Sequence, residues 1–345
     1  MAKTRRDFLG AVSSAAAVGV IHTQTALASS SSPKRPLGIA LVGLGSQTSS
    51  DLFDGLASSQ RCKITSLVSG DFSKASTLAN RYGISKRHLY NYDNFDQIAN
   101  DPSIDIVYIA VPNAMHCEFA VRAAQAGKHV FCESPMAIGV DQCQSMIDAC
   151  CQNARHLGVA SSPLCRPLGC LGTIRSIQAS NAFAIDRPKS WRLRRYLCGS
   201  GAMLQAGIDV LRTQRLWAES NPLWVIAQET KTDPMRYGQL EESVTWTLGF
   251  QNGTIAHGAA SLNYQGPCQL SVQGSIGSFN SEFPASNHDW TRADQLENFA
   301  STILSAPRLP ENRFNSLSPE QALEDMRLVE AISRSIQEQR QVQLS

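Results

Sequence analysis

The sequence predicts two domains in series: a doubly wound parallel α/β sheet, then an α+β domain with a largely antiparallel sheet. Short apolar runs alternate with helical stretches up to about residue 160. Beyond that point apolar residues recur at every second position, as in Val244, Trp246, Leu248 and Phe250. The length of 345 residues also exceeds what one hydrophobic core ordinarily serves.

Residues 1–28 read as a targeting segment. Thr4-Arg5-Arg6-Asp7-Phe8-Leu9 is a twin-arginine pattern, an apolar Ala-rich run follows from Leu9 to Val20, and Ala26-Leu27-Ala28 is a small-x-small cleavage site. The run is too short to span a bilayer, so no membrane span is expected. Export by the twin-arginine route to the periplasm is the expectation; the plainer alternative is a frayed N-terminal helix. Residues 29–36 are a Ser-rich linker.

The first domain, 37–160, opens with a strand over Leu37–Val42, followed by Gly43-Leu44-Gly45 and a helix near Ser50–Ser58. Strand, helix, strand, helix, strand and helix then fit Lys63–Val68, Ser73–Tyr82, Ile104–Val111, Cys117–Ala126, Val130–Cys132 and Val140–Arg155. The second domain, 161–345, has strand-like runs at Ile174–Ala184, Leu223–Thr230, Thr254–Asn263 and Gln269–Gln273. Asn252-Gly253 reads as a hairpin turn, and Pro319 to Glu338 as a closing helix.

Apolar residues make up 43% and charged residues 17%, an ordinary globular balance. Outside the leader, basic and acidic residues are equal in number, and no Lys/Arg stripe suits a phosphate backbone, so nucleic acid is not an expected partner. None of the ten cysteines forms a Cys-x-x-Cys pair, so neither a zinc site nor a thioredoxin-like centre is expected. Several fall in strands or apolar helix faces. Cys165 and Cys170, in a loop-like stretch, are the expected exceptions if export permits disulfides.

Gly43-Leu44-Gly45 between the first strand and a helix reads as a dinucleotide-binding turn. The first glycine allows the tight turn, and the second lets the backbone approach a pyrophosphate at a helix N-terminus. The third fingerprint position is Thr48 instead of Gly or Ala. The end of the second strand selects the cofactor. An acidic residue there would hold the ribose hydroxyls of NAD. The chain reads Val68-Ser69-Gly70-Asp71-Phe72-Ser73-Lys74, where Ser69 and Gly70 leave room and Lys74 can meet a 2′-phosphate, which favours NADP. Asp71 complicates this, since it would repel the phosphate if it pointed inward. Lys74 also has a plain reading as a solvated helix residue.

Gly43–Gly45, Pro112-Asn113-Ala114-Met115-His116 and Ala126–Pro135 together resemble the Gfo/Idh/MocA oxidoreductases, most closely the periplasmic glucose–fructose type. Val68-Ser69-Gly70 with Lys74, Trp191–Arg195 followed by Gly199-Ser200-Gly201, and His257-Gly258-Ala259 extend the resemblance from about Leu37 to the last helix. It implies a Rossmann domain binding NADP through Gly43, Leu44, Gly45, Ser69, Gly70, Lys74, Pro112, Asn113, His116, Glu133, Pro135, Trp191 and Arg192. It further implies an open-faced sheet domain, often used to form homo-oligomers, and a small-molecule ligand of sugar type.

The departures fall on the chemistry. The family's Glu-Lys-Pro motif supplies a catalytic lysine and reads here Glu133-Ser134-Pro135. An aspartate, then a tyrosine or histidine four residues on, are replaced by Gln205 and Asp209. The stretch 160–172 is shortened. Oxidising a C–OH group requires a base for the hydroxyl proton, helped by a cation that stabilises the developing alkoxide. Ser134 is a poor base and Gln205 accepts no proton. Asp209 and His116 remain as candidates, although a carboxylate repels an alkoxide and His116 has an alternative role in fixing the nicotinamide loop. Two readings stay open. One is an oxidoreductase using Asp209 or His116. The other is a non-catalytic, NADP-retaining protein in which sugar oxidation is absent or very slow.

Overall fold

The computed structural model describes residues 35–45, 52–161, 171–283, 291–305 and 318–344. The leader, position Thr48, and Cys165 with Cys170 lie outside the described residues. Six strands form the first sheet: β1 (Leu37–Val42), β2 (Cys62–Val68), β3 (Leu89–Tyr90), β4 (Ile106–Ile109), β5 (His129–Cys132) and β6 (Leu157–Val159). Their order is β3-β2-β1-β4-β5-β6, and every neighbouring pair is parallel. All six residues of β1 are buried, which is why it reads as an unbroken apolar run instead of an alternation. The two-residue β3 and three-residue β6 are too short to announce themselves in sequence. Strand order reverses between β1 and β4, so their carboxyl ends open the crevice in which such sheets bind ligands.

The second sheet runs β12-β11-β7-β10-β9-β8-β13. Its strands are β7 (Ile174–Ala182), β8 (Pro222–Thr230), β9 (Ser243–Phe250), β10 (Ile255–Ser261), β11 (Gly266–Gly274), β12 (Ser278–Phe283) and β13 (Val342–Gln343). The expected Asn252-Gly253 turn joins β9 to β10, with Gly253 at φ 84°. The sheet is mixed, because the central pair β7/β10 is parallel. After β7 the chain leaves the sheet, forms the helix Ile208–Ala218 against β7 and β10, re-enters at β8, and meanders back to lie beside β7.

The expected split, 37–160 against 161–345, is crossed by packing. The helix Arg292–Leu304, started by a reciprocal Thr291/Asp294 cap, buries Ala293, Leu296, Phe299 and Ala300 against Leu37, Leu41 and Phe131 of the first sheet. Among the described residues, that face of the sheet is otherwise covered by the helical residues 52–56 and the helix Phe72–Tyr82, and the C-terminal part returns to extend the layer. The closing helix Pro319–Glu338, capped by Ser318 with proline in its first turn, has the bounds that the sequence indicates. It packs on both the helix Val140–Gln152 and β8, and Glu330 accepts a hydrogen bond from the Val140 N–H at 2.9 Å. Both sheets therefore belong to one packed unit, Pro33–Ser345.

Candidate active site

At the carboxyl end of β1, Gly43 adopts φ 89°, and a Cβ there would lie 2.4 Å from the Ala110 carbonyl oxygen. Only glycine lets β1 and β4 close this tightly below the dinucleotide turn. At the end of β2, Ser69 is buried, donates its N–H to Tyr90 O at 3.0 Å, and accepts the Asp71 N–H on its hydroxyl at 3.0 Å. Asp71 is the N-cap of the helix Phe72–Tyr82, its carboxylate accepting the Lys74 N–H at 3.0 Å. That answers the complication raised by its sequence position: the carboxylate turns back into the first helical turn. Lys74 is exposed beside it. A cramped glycine turn, Ser69-Gly70 at the strand end, a helix N-terminus and a lysine fit a nicotinamide dinucleotide.

The nicotinamide-side residues form a second group. Asn113, buried after β4, donates from its amide to Cys198 O at 3.1 Å and so ties the first domain to the Gly199–Gly201 segment. His116 is buried with one ring nitrogen 2.9 Å from Pro135 O and the other 2.9 Å from Val111 O. Burial lowers its pKa, although both carbonyls favour the charged ring. Both ring nitrogens are engaged by backbone carbonyls, a geometry that suits His116 to fixing the loop. Glu133 Oε1 accepts from the Tyr108 hydroxyl and from Arg292 Nε, the latter at 2.8 Å. Burial opposes the charge on Glu133, but Arg292 and Tyr108 overcome it and hold its pKa below the usual carboxylate range. Trp191 and Arg192 stack, the guanidinium carbon 4.7 Å from the ring centre, and burial lowers the Arg192 pKa.

Two of the three replaced positions, Ser134 and Asp209, converge. Gln205 lies in a π-helical turn, Met203–Gly207, that opens directly into the helix Ile208–Ala218. Its amide donates to Arg192 O at 2.8 Å and its buried Oε1 finds no partner among the described residues. Asp209, four residues on, has a side chain 28% exposed and accepts from Arg212 Nη1 at 3.1 Å. The same guanidinium places Nη2 3.4 Å from Ser134 Oγ and Nε 2.9 Å from Asp325 Oδ2. Asp325 is fully buried and also pairs with Arg215. Ser134 and Asp209, far apart in the chain, thus meet across one buried arginine at the end of β5. Sequence reading missed Arg212, Asp325 and Arg292. Only the Asp209/Arg212 spacing of three on one helix face offered a signal.

The cavities described for this chain lie elsewhere. One of about 540 Å³ sits on the exposed face of the second sheet, lined by Gln178, His257, Gln269, Ser271, Asn280 and Glu282 among others. The site is therefore assigned on convergent polar groups at the strand ends instead of cavity size. Among the described residues no helix is long and apolar enough to cross a membrane.

A parallel sheet with this strand order and a glycine turn at its reversal point define a nicotinamide-dinucleotide-binding oxidoreductase fold. The description "Oxidoreductase family, NAD-binding Rossmann fold" matches residues 37–161, and the "GFO/IDH/MocA C-terminal domain" matches residues 168–280. Aldose-aldose oxidoreductase from Caulobacter crescentus, crystallised with glycerol, is 32% identical, superposes with a TM-score of 0.76, and is matched over 90% of this chain and 100% of its own. The chain belongs to the Gfo/Idh/MocA oxidoreductase family. D-xylose 1-dehydrogenase [NADP(+)] of Haloarcula marismortui is 27% identical over 283 residues, 78% of each chain. An uncharacterized oxidoreductase of Rhizobium meliloti is 27% identical over 225 residues, 62% of this chain and 66% of that protein.

Proposed function

We propose that this chain is an exported, NADP(H)-dependent oxidoreductase acting on carbohydrate alcohols and aldehydes, with Asp209 as the proton acceptor. The observation that carries the reading is the meeting of Asp209 and Ser134 across the buried Arg212 at the carboxyl end of β5. A nicotinamide dinucleotide held by Gly43, Ser69, Gly70 and Lys74 would supply the two-electron hydride acceptor for the hydrogen on the carbon bearing the hydroxyl. In that direction the hydroxyl proton passes to Asp209, the C–O bond becomes a carbonyl, and charge is conserved. In the reverse direction protonated Asp209 returns the proton to the reduced oxygen. Asn113 and His116 hold the loops that frame the site, and Glu133 with Arg292 fixes the end of β5. The test is to add aldoses and lactones to purified protein and follow the reduced-nicotinamide absorbance band. Retained cofactor with no change for any of them supports the non-catalytic reading, which Gln205 favours because its amide is spent on Arg192 O.

Preference for NADP(H) over NAD(H) rests on Ser69, Gly70 and Lys74, with Asp71 withdrawn into a helix cap. Lys74→Ala is expected to weaken NADP binding roughly tenfold to a hundredfold and leave NAD binding unchanged. Titration of both cofactors into cofactor-free protein measures this, and equal or tighter NAD binding by the parent protein rejects the assignment. Export rests on Arg5 and Arg6 ahead of Phe8-Leu9. This route carries folded protein, which suits a chain that loads a cytoplasmic dinucleotide before leaving. Changing both arginines to lysine is expected to leave the precursor in the cytoplasm on fractionation, and unchanged export points to the general secretory route.

A further inference from the structure

We infer that Arg212 is the positioning residue of this site and that Arg212 with Ser134 does jointly what a lysine at position 134 does in the family; the inference rests on the oxidoreductase reading. Three features of the geometry lead to it. The first is place. A serine carries no charge, yet a guanidinium from the opposite domain ends 3.4 Å from its hydroxyl oxygen. The positive charge has moved from the end of β5 to the helix Ile208–Ala218 while remaining at the same corner of the site.

The second feature is directionality. Each guanidinium nitrogen of Arg212 has its own acceptor: Nε goes to Asp325, Nη1 to Asp209 and Nη2 to Ser134. A planar fork of donors suits three acceptors in three directions, whereas an ammonium is a single point of charge. Since Ser134 Oγ accepts from the guanidinium, its own proton is left to be donated to the substrate oxygen. That oxygen gains negative charge as the carbonyl is reduced, or loses its proton as the alcohol is oxidised. The same cation offsets the repulsion between the Asp209 carboxylate and a developing alkoxide.

The third feature is anchoring. The Arg212 side chain is 3% exposed, so it reaches no substrate itself and acts through Asp209 and Ser134. Asp325, on the closing helix and without exposed surface, fixes the guanidinium from behind and also pairs with Arg215. A lysine at 134 and an arginine at 212 would crowd two cations into one corner, so the two arrangements exclude each other.

The exclusion can be tested. Turnover of an aldose, NADPH affinity and the urea unfolding midpoint are measured for the parent protein, Ser134→Ala, Ser134→Lys, Arg212→Met, Arg212→Lys and the double variant Ser134→Lys/Arg212→Met. Arg212→Met is expected to lower kcat about a hundredfold, with KM and NADPH affinity changed by no more than a few-fold. Arg212→Lys is expected not to restore it. Ser134→Ala, which removes only a hydroxyl, is expected to lower kcat about tenfold or more without moving the midpoint. Ser134→Lys alone is expected to lower both kcat and the midpoint, whereas in the Arg212→Met background it raises kcat at least about tenfold. A double variant no faster than Arg212→Met, or a Ser134→Ala protein with parental kcat, overturns the inference and leaves the enzyme reading standing. A parent protein that turns over no aldose overturns both. If Arg212→Met fails to fold, the two Ser134 variants still decide: parental kcat in either rejects the proposal.

Discussion

Asp209→Asn is expected to lower aldose turnover by about a hundred- to ten-thousand-fold, the usual contribution of a positioned general base. The amide matches the carboxylate in shape and still offers an oxygen to Arg212, so the 3.1 Å contact is retained while the capacity to take a proton is lost. NADPH affinity is expected to stay at the parental value, because the proposed cofactor residues Gly43, Ser69 and Lys74 lie at the ends of β1 and β2 and on the helix after β2. A carboxylate 4 Å from a full alkoxide would cost about 4 kcal/mol at an effective dielectric near 20. Proton transfer in step with hydride loss avoids building that charge, and Arg212 offsets what remains. Steady-state rates followed at the reduced-nicotinamide band, together with a single-turnover experiment, separate chemistry from product release. Parental turnover in Asp209→Asn rejects the carboxylate as base. If turnover is instead lost in His116→Ala, the histidine has to be reinstated despite its two carbonyl partners.

How far the sequence could be read depended on whether a feature was local. The Gly43 turn, the parallel strands with their capped helices, the Asn252-Gly253 hairpin and the closing helix are set by residues next to one another, and they were legible. Of the three replaced positions, Ser134 and Asp209 share Arg212, whereas Gln205 turns to the Arg192 carbonyl. The parallel β7/β10 pair was not legible, since it follows from where a crossover returns and not from the alternation within either strand. Nor was the return of the helix Arg292–Leu304 to the first sheet: its apolar stripe shows that it packs, without showing on what. Asp71 was ambiguous because the same residue type caps a helix or binds a ribose, and only its direction decides. The most consequential gap was electrostatic. Read one at a time, the three replacements remove a lysine and leave a carboxylate without a cation. Packed, the chain brings Arg212 to that carboxylate and Asp325 from over a hundred residues away to Arg212.

The second large effect is expected at Asp325. This carboxylate has no exposed surface, and it accepts from Arg212 at 2.9 Å and from Arg215. It is the acceptor that the two arginines share. Asp325→Ala takes the buried carboxylate from Arg212, leaves it the 28% exposed Asp209 and the Ser134 hydroxyl, and sets two guanidiniums side by side with a cavity between them. Removing one partner of a buried ion pair typically costs about 3–5 kcal/mol, more than the pair itself contributes, because the surviving charge stays out of water. Exposed Glu324, one residue earlier on the same helix, is the internal control. Its pair with Arg327 is about half exposed on both sides, and Glu324→Ala is expected to cost about 1 kcal/mol or less. Guanidinium unfolding of the parent, Asp325→Ala and Glu324→Ala proteins measures the difference. The closing helix bridges both sheets, so the loss at Asp325 is expected to lower the transition of the whole unit and not of one domain alone. A cost at Asp325 no larger than at Glu324 would mean that water reaches the arginines. The buried guanidinium would then no longer explain how Ser134 and Asp209 are held together.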